Sequence, residues 1–200
     1  MMHGHAEALL PMIDDIMSVT GLSASALDCV AVTTGPGSFT GIRVGIAAAR
    51  GIAFADGLPL IGVSSFEAVA ETVPATTLGD RPLLVALESR RADLYIQLFD
   101  AARRPLSEPA AYLPQMLASA IPAAHGSAIV IIGDAVARAA APLAEHYDIA
   151  TVAAGLTPAA GALSAALRRW RRGERGGEVR PLYLRPPDVT VSGGHLPQNS

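Results

Sequence analysis

Lysine is absent from this chain, whose fifteen basic residues are all arginine. Without lysine the protein has no ammonium group for a Schiff base, for general-base catalysis or for the phosphate contact of a Walker A loop. Cysteine occurs once, at Cys29, which excludes an intramolecular disulfide bond. Because Cys29 lies inside an apolar run, we interpret it as a small buried hydrophobic side chain.

Charged residues are also few, at 16% of the 200 residues, while half of the chain is apolar. This composition can fill a sizeable core and is not typical of a disordered chain. The net charge of −3 argues against a general nucleic-acid binder, so we expect any contact with nucleic acid to be indirect. No apolar run reaches the roughly eighteen residues of a membrane span, and no signal-peptide pattern opens the chain. The sequence therefore predicts a cytoplasmic protein without membrane contact.

The five histidines, at positions 3, 5, 125, 146 and 195, follow none of the spacings of known metal-binding motifs. His3 and His5 could project near one another, but two ligands do not make a metal site. No serine lies in a G-x-S-x-G motif. The spacing of these residues predicts neither a metal site nor an activated serine.

The segment from Thr34 to Arg43 is the most informative motif, because three glycines connect an apolar run to a helical pattern. Gly35, Gly37 and Gly41 with Ser38 and Thr40 read as a loop at a helix N-terminus, where backbone N–H groups can hold an anion. The spacing fits neither the Walker A loop nor the G-x-G-x-x-G fingerprint. A tight turn with Ser38 or Thr40 as the N-cap explains the same residues. The residues fit both an anion-binding loop and a tight turn.

Helical periodicity marks the segments on either side of this loop. Residues 5 to 19 carry an apolar face, and we expect the helix proper to begin near Glu7 or Ala8 so that Pro11 lies in its opening turn. The face consists of Leu9, Leu10, Ile13, Ile16 and Met17. The helix from Thr40 to Ala55 is rich in glycine and alanine, which suits either close packing on its own sheet or contact with a partner helix.

The remaining pattern alternates strands and helices. We predict strands at 60–63, 83–87, 94–99 and 129–132, a hairpin turn at 88–93, a capping box at Ser64 and Glu67, and a linker at 74–82. Helices are predicted near 115–120, from an Asp134 cap to His146, and from 158 to 172 after a Thr157 cap. Arg168, Arg169, Arg171, Arg172, Arg175, Arg180 and Arg185 form a basic cluster, interpreted as a solvated helix end or as a phosphate contact.

Several strings together resemble the bacterial TsaB (YeaZ) family. The string Gly35-Pro36-Gly37-Ser38-Phe39-Thr40-Gly41-Ile42-Arg43, followed by Gly45, Ala49, Gly51 and Ile61-Gly62-Val63-Ser64, carries most of the resemblance. Further matches are Gly4 to Pro11, Ala86 to Arg90 with Tyr95, and Pro181-Leu182-Tyr183-Leu184-Arg185. Glu88-Ser89-Arg90 departs from the D-A-R that is more typical of the family. The resemblance covers residues 4 to about 188.

The resemblance implies an α/β, actin-like ATPase (ribonuclease H-like) fold of the actin/Hsp70/sugar-kinase superfamily, related to the Gcp-like, peptidase M22-like TsaD proteins. It implies two small lobes. We expect an N-terminal lobe at 1–74 with the glycine loop and interface helices, a C-terminal lobe at 82–188 and a polar tail at 189–200. The family normally opens with about thirty further residues, so we expect an incomplete first lobe and an unpaired edge on the strand at 29–34.

The function implied is that of a non-catalytic dimerisation and scaffold subunit. It would bind a TsaD-type transferase, together with a TsaE-type ATPase, for the N6-threonylcarbamoyladenosine (t6A37) modification of tRNA, with tRNA contacted only indirectly. The expected interface residues are Leu9, Leu10, Ile13, Met17, Ala48 and Ile52. We expect no catalytic residue, metal or cofactor, and a homodimer stays open. The alternative is a nucleotide-dependent phosphotransferase or an M22-like peptidase that uses the loop from Gly35 to Gly41.

Overall fold

The computed structural model describes residues 5–121, 126–152 and 158–185. The helices are α1 (His5–Thr20), α2 (Phe39–Ala55), α3 (Ser65–Ala70), α4 (Ala75–Leu78), α5 (Leu117–Ala120), α6 (Val136–Leu143) and α7 (Pro158–Arg171). The strands are β1 (Val30–Gly35), β2 (Leu60–Ser64), β3 (Leu83–Glu88), β4 (Leu94–Phe99), β5 (Ala110–Tyr112), β6 (Ala128–Ile132) and β7 (Asp148–Thr151). Short 3₁₀ turns lie at Ala24–Ala26 and Pro114–Met116.

A five-stranded mixed sheet has the order β5-β4-β3-β6-β7. β3 pairs antiparallel with β4 and parallel with β6, and both of its faces are covered. Leu84 and Ala86 pack towards α5 and α6, whereas Leu83 and Val85 pack towards α3 and α4. Because side chains alternate along a strand, a continuous apolar run of this kind is stable only between two helical layers.

A second, two-stranded sheet consists of β1 and β2, which pair in parallel from Val30 and Leu60 onwards. Ile61 and Val63 on one face pack with α3 and α7, while Val32 and Leu60 on the other pack with α2. Among the described residues, β1 pairs with no strand on its second edge. The unpaired edge expected from the sequence is therefore present within the described part of the chain.

Helix α3 lies between the two sheets. Phe66 and Ala70 belong to the core of the larger sheet, and Ala68 belongs to the core of the smaller one. The helix begins with the predicted capping box, in which the Ser64 hydroxyl accepts from the Glu67 N–H and the Glu67 carboxylate accepts from the Ser64 N–H. The capping box satisfies two backbone N–H groups at the start of this short helix, which has buried residues on both faces.

The segment at 176–185 runs back across both sheets. The Gly177 N–H donates to the Leu60 carbonyl at 3.3 Å, and the Leu182 N–H donates to the Thr34 carbonyl at 2.8 Å. Val179 is buried beside α2, and Leu182 packs against the core of the larger sheet. This segment holds the glycine loop at a fixed place relative to the larger sheet.

Most predicted elements are confirmed, and four details are wrong. Helix α1 already begins at His5, so Pro11 lies inside it and leaves the Glu7 carbonyl without its usual helical donor. Asp134 does not cap α6, because its Oδ1 accepts from the Glu88 N–H at 2.8 Å. Helix α6 ends at Leu143 rather than at His146, and in the turn that follows the His146 N–H donates to the Leu143 carbonyl at 3.0 Å.

The fourth correction concerns the linker at 74–82, which contains helix α4 and the fully buried Leu78. Strands β5 and β7 were not predicted. The Thr157 cap, the tail at 189–200 and His3, His125 and His195 lie outside the described residues. The division into two lobes stays a prediction. In the described ranges no helix is long and apolar enough to cross a bilayer.

The packing of α7 on α3 generates a stability prediction. A Cβ at Gly161 would lie 2.0 Å from the Ala68 carbonyl oxygen, so Gly161→Ala must push the two helices apart. We expect Gly161→Ala to lower the free energy of unfolding by about 2 kcal/mol, as overpacked cores do. The measurement is urea unfolding followed by circular dichroism.

Gly51→Ala in α2 is the matched control, since no described atom lies within 4 Å of the added Cβ. This change should raise the free energy of unfolding by about 0.5 kcal/mol, because alanine favours a helix. Equal effects of the two substitutions would contradict the close approach of α7 to α3.

Candidate functional site

The glycine loop connects the end of β1 to the start of α2. The Ser38 hydroxyl accepts from the Gly41 N–H at 3.4 Å, which makes Ser38 the N-cap of α2. Gly35 has φ of 109°, and a Cβ there would lie 2.8 Å from Ile42 Cδ1 and 3.1 Å from the Leu182 carbonyl oxygen. Glycine is therefore required at Gly35 by both conformation and space. Gly37, Thr40 and Gly41 lie at the exposed surface of the same loop.

A cleft of about 560 Å³ opens between this loop and the larger sheet. Its walls are the loop, the start of α3, the end of β3 and the start of α7. The lining residues that carry polar side chains are Thr33, Ser38, Ser65, Glu88, Ser89, Arg90, Tyr95 and Asp134. The cleft lies at the carboxyl ends of β1 and β3, where parallel strands commonly present functional side chains.

Both carboxylates of this cleft already have partners. Glu88 forms a 2.5 Å ion pair with Arg138, whose guanidinium also donates to the Arg91 and Ala92 carbonyls. Asp134 accepts from the Glu88 backbone. Arg90 is the arginine that lines the cleft, and it has a left-handed φ of 61°. Two carboxylates facing one arginine make a poor environment for a phosphate chain.

A second opening of about 420 Å³ lies beyond the loop, beside the hairpin turn. The Arg43 guanidinium stacks on Phe39, 3.8 Å from the ring centroid, and its Nε donates to the Tyr183 hydroxyl at 2.8 Å. Arg185 forms an ion pair with Asp93, a carboxylate whose side chain is only 3% exposed. These contacts attach the Pro181 to Arg185 segment to both the loop and the hairpin.

An apolar groove of about 800 Å³ lies on the opposite side of β1. Four of the six predicted interface residues line it: Leu10, Ile13, Met17 and Ile52. Cys29, Val30 and Ala31 of the unpaired edge form its floor. Leu9 and Ala48 are half-buried and are not among the lining residues. The structure thus brings together most, but not all, of the predicted interface.

The apolar side chains of α1 are more exposed than its periodic pattern predicts. Leu10 is 56% exposed, and Met12, Ile16 and Val19 are also exposed. Phe54 at the end of α2 is almost fully exposed. The sequence analysis did not single out Met12, Val19 or Phe54. Each is an apolar residue outside the apolar stripe of its helix, and that position could have indicated an exposed side chain. Large exposed apolar patches of this kind mark interaction sites.

Cys29 is half-buried in the floor of the groove rather than fully buried. Burial, and secondly the negative charge of Asp28, raises the pKa of the Cys29 thiol above its ordinary value. A raised pKa keeps the thiol protonated at neutral pH, which makes it a poor nucleophile. Cys29 therefore contributes packing surface here.

The arginine cluster predicted at 168–185 is not one patch. Arg185 binds Asp93 beside the glycine loop, Arg180 pairs with Glu178, and the Arg175 guanidinium stacks on the Trp170 ring at 4.2 Å. The loop before β5 instead brings Arg103 and Arg104 next to Arg168, Arg169 and Arg172. Sequence spacing could not show this, because the two groups lie more than sixty residues apart.

No group of three or more His, Cys, Asp or Glu side chains that could hold a metal ion occurs among the residues the structure describes. His5 lies at the start of α1, and its side chain is not described.

Comparison with known proteins identifies the class. The profile of a family described as "TsaD: tRNA N6-adenosine threonylcarbamoyltransferase" matches residues 1–110. A crystal structure from Pseudomonas aeruginosa, described as an uncharacterized protein with similarity to the peptidase YeaZ, superposes with a TM-score of 0.72 at 30% identity. That likeness covers 90% of this chain and 84% of the other. The fold and the cleft thus define an actin-like α/β protein, as the sequence predicted.

Two relatives narrow the class to a family. The E. coli (strain K12) tRNA threonylcarbamoyladenosine biosynthesis protein TsaB is 37% identical over 91 residues, which are 46% of this chain but only 39% of that protein. An uncharacterized protein of Mycobacterium tuberculosis (strain H37Rv) is 32% identical over 188 residues, or 92% of this chain and 77% of the relative. The chain belongs to the TsaB (YeaZ) family.

The buried Asp93–Arg185 pair generates a prediction about the glycine-loop side. Arg185→Met leaves the Asp93 carboxylate buried without its cation, and we expect the free energy of unfolding to fall by about 2 kcal/mol, a value reduced because Arg185 is partly exposed. Urea unfolding measures this loss. The double variant Asp93→Asn with Arg185→Met should recover part of it.

Arg180→Met provides the control, because both members of the Arg180–Glu178 pair are exposed and its loss should leave the free energy of unfolding almost unchanged. If Arg185→Met were as mild as Arg180→Met, the C-terminal segment would not be anchored through Asp93.

Proposed function

We propose that this chain is a non-catalytic subunit that binds a TsaD-type threonylcarbamoyltransferase in the t6A modification of tRNA. The observation that carries the proposal is the apolar groove between α1, α2 and the edge of β1, with its exposed apolar rim. Its relatives are named as tRNA threonylcarbamoyladenosine biosynthesis proteins, which supports a partner that acts in that modification.

The chemistry of the groove favours a helical protein partner. Apolar side chains form most of its walls, and the charged residue among its lining residues is Asp14. A partner that covers Leu10 and Leu22, two exposed residues that line the groove, removes apolar surface from water, which is the main source of favourable binding energy. An interface that is stable in solution buries about 800 Å² on each partner, and two exposed helices can supply such an area.

The family profile supports a TsaD-type transferase as the partner. Because the TsaD profile matches residues 1–110, α1 and α2 have counterparts in the transferase itself. Two related chains can pair through equivalent helices about an approximate twofold axis, as identical chains do in a symmetric dimer. The same argument makes a homodimer the competing assembly in the absence of the transferase.

The absence of catalysis in this subunit is part of the proposal. It is supported by the pairing of Glu88 with Arg138, by the exposed position of Arg90 and by the lack of lysine in the sequence. We further propose a cytoplasmic location, because the relatives are named for the modification of tRNA. A TsaE-type ATPase as a third component is what the resemblance to the TsaB family implies. The alternative, a phosphotransferase or M22-like peptidase that uses the Gly35–Gly41 loop, would require the cleft to bind a nucleotide or a peptide.

The groove yields a binding prediction. Leu10→Asp with Met17→Asp places two carboxylates in the groove, and we expect binding to the TsaD-type transferase of the same organism to weaken on the order of a hundredfold. Light scattering after size exclusion and isothermal titration calorimetry measure the complex.

The control is Leu163→Asp with Leu167→Asp, which changes two exposed leucines on α7 away from the groove. Tight binding by the groove variant, with unchanged thermal unfolding, would contradict the proposed interface. Calorimetry with ATP and Mg²⁺ tests the alternative, since turnover by this chain alone would favour an enzyme.

A further inference from the structure

We propose that the arginine groove, formed by Arg103, Arg104, Arg168, Arg169 and Arg172, binds the phosphate backbone of the tRNA substrate directly. This inference rests on the proposed function, because that function supplies tRNA as the nucleic acid. It also departs from the sequence-based expectation of an indirect contact. The groove has a volume of about 260 Å³ and lies between the C-terminal half of α7 and the loop that precedes β5.

The inner arginines are held in fixed orientations. Glu71 forms ion pairs with two guanidinium groups, that of Arg168 at 2.8 Å and that of Arg103 at 3.8 Å. Arg103 also donates to the Ala70 and Val73 carbonyls, and Arg168 donates to the Ala102 and Arg103 carbonyls. One carboxylate shared between Arg103 and Arg168 leaves one positive charge over, whereas Arg169 is balanced by ion pairs with Glu67 and Glu174.

The carboxylates of the groove lie deeper than the arginines at its rim. The side chains of Glu71 and Glu67 are 11% and 21% exposed, and that of Asp100 is 23% exposed. The Arg104 side chain is 68% exposed. The Arg172 side chain is exposed and makes no ion pair or side-chain hydrogen bond within the described ranges. The outward-facing charge is therefore mainly positive, with the half-exposed Glu174 as the acidic exception.

Arg104 stays orientated at this rim because Asp100 holds it. Burial alone would raise the pKa of Asp100, but hydrogen bonds from the Arg104 backbone and guanidinium outweigh burial and lower that pKa below its ordinary value. Asp100 is thus ionised at neutral pH and fixes the Arg104 guanidinium beside Arg172 in the groove wall.

Phosphate is the ligand chemistry that suits this arrangement. A guanidinium presents a planar fork of donors that matches two phosphate oxygens, and several forks along one groove match successive phosphates. The lining contains Pro105 as its apolar residue and otherwise charged side chains, which is unlike the apolar centre of a protein interface. An RNA backbone therefore fits the groove better than an acidic protein segment does.

The test uses Arg104→Ala with Arg172→Ala, because both side chains are exposed and neither supports the fold. Fluorescein-labelled tRNA transcript is titrated with the complex of this chain and the TsaD-type transferase, and fluorescence anisotropy gives the dissociation constant. We expect the variant to bind at least about fivefold more weakly, and the salt dependence of its binding constant to fall by about 1.5 in log–log slope.

The control is Gln115→Glu with Ala137→Glu, which changes the net charge equally at exposed positions away from the groove. It should bind tRNA within about twofold of the unmodified complex, since a general charge effect is weak beyond the Debye length. The inference would be overturned if the arginine variant bound tRNA as tightly as the unmodified complex, or if the unmodified complex bound no tRNA at low salt. It would also be overturned if the arginine variant lost its binding to the transferase while its contact with tRNA was unaffected. Transferase binding is measured in parallel, so a failure of the groove is distinguished from a failure of the proposed subunit interface.

Discussion

The C-terminal segment at 176–185 runs back across both sheets and holds them together. The backbone bonds from Gly177 to Leu60 and from Leu182 to Thr34 attach it to the two strands of the small sheet. Arg185 attaches its end to Asp93, in the turn of the β3–β4 hairpin of the large sheet. A two-stranded sheet is marginal by itself, so β1 and β2 depend on this tie and on the helices around them.

Strand β1 contributes to both the cleft and the apolar groove, because its end, one face and its free edge each contact a different part of the molecule. Its end continues into the glycine loop, one face packs on α2, and its free edge forms the floor of the apolar groove. A shift of β1 would therefore disturb the cleft and the groove together. The requirement for glycine at Gly35, where Ile42 and Leu182 leave no room for a Cβ, fixes the position of the strand end.

The three candidate binding surfaces of the molecule differ in polarity and charge. The cleft contains carboxylates and hydroxyls, the groove beside α1 is apolar, and the arginines collect between α7 and the loop before β5. A subunit that joins a transferase to a nucleic acid needs an apolar face for one and a cationic face for the other, and both lie outside the cleft. The same division explains why a net negative chain can still carry a cationic groove.

The sequence predicted most of this fold because the strong signals are local. The apolar runs of β3 and β6, the Ser64–Glu67 capping box and the small residues of α2 each depend on neighbours within a few positions. The weak strands β5 and β7 were missed, since short half-buried strands depend on pairing with distant partners. The proximity of Arg103 and Arg168 could not be predicted either, because their shared ion-pair partner Glu71 brings them together only in the folded chain.

The exposure of α1 could not be predicted from periodicity alone, because an apolar stripe shows that a helix needs a partner surface without showing which chain supplies it. Leu10, Ile13 and Met17 obey the helical spacing that would bury them against a core. In the described structure Leu10 instead lies more than half exposed at the groove. Most of the predicted interface residues thus line the groove, whereas the exposure of Leu10 could not be predicted from the sequence.

Hydrogen–deuterium exchange of this chain, measured alone and in the presence of its TsaD-type transferase, tests directly whether the apolar groove is the binding surface. We expect the transferase to slow exchange in α1, in α2 and at residues 28–31, while β3, β6 and the cleft change little. Slower exchange confined to the cleft between Gly37 and Asp134, with α1 and α2 unchanged, would contradict it.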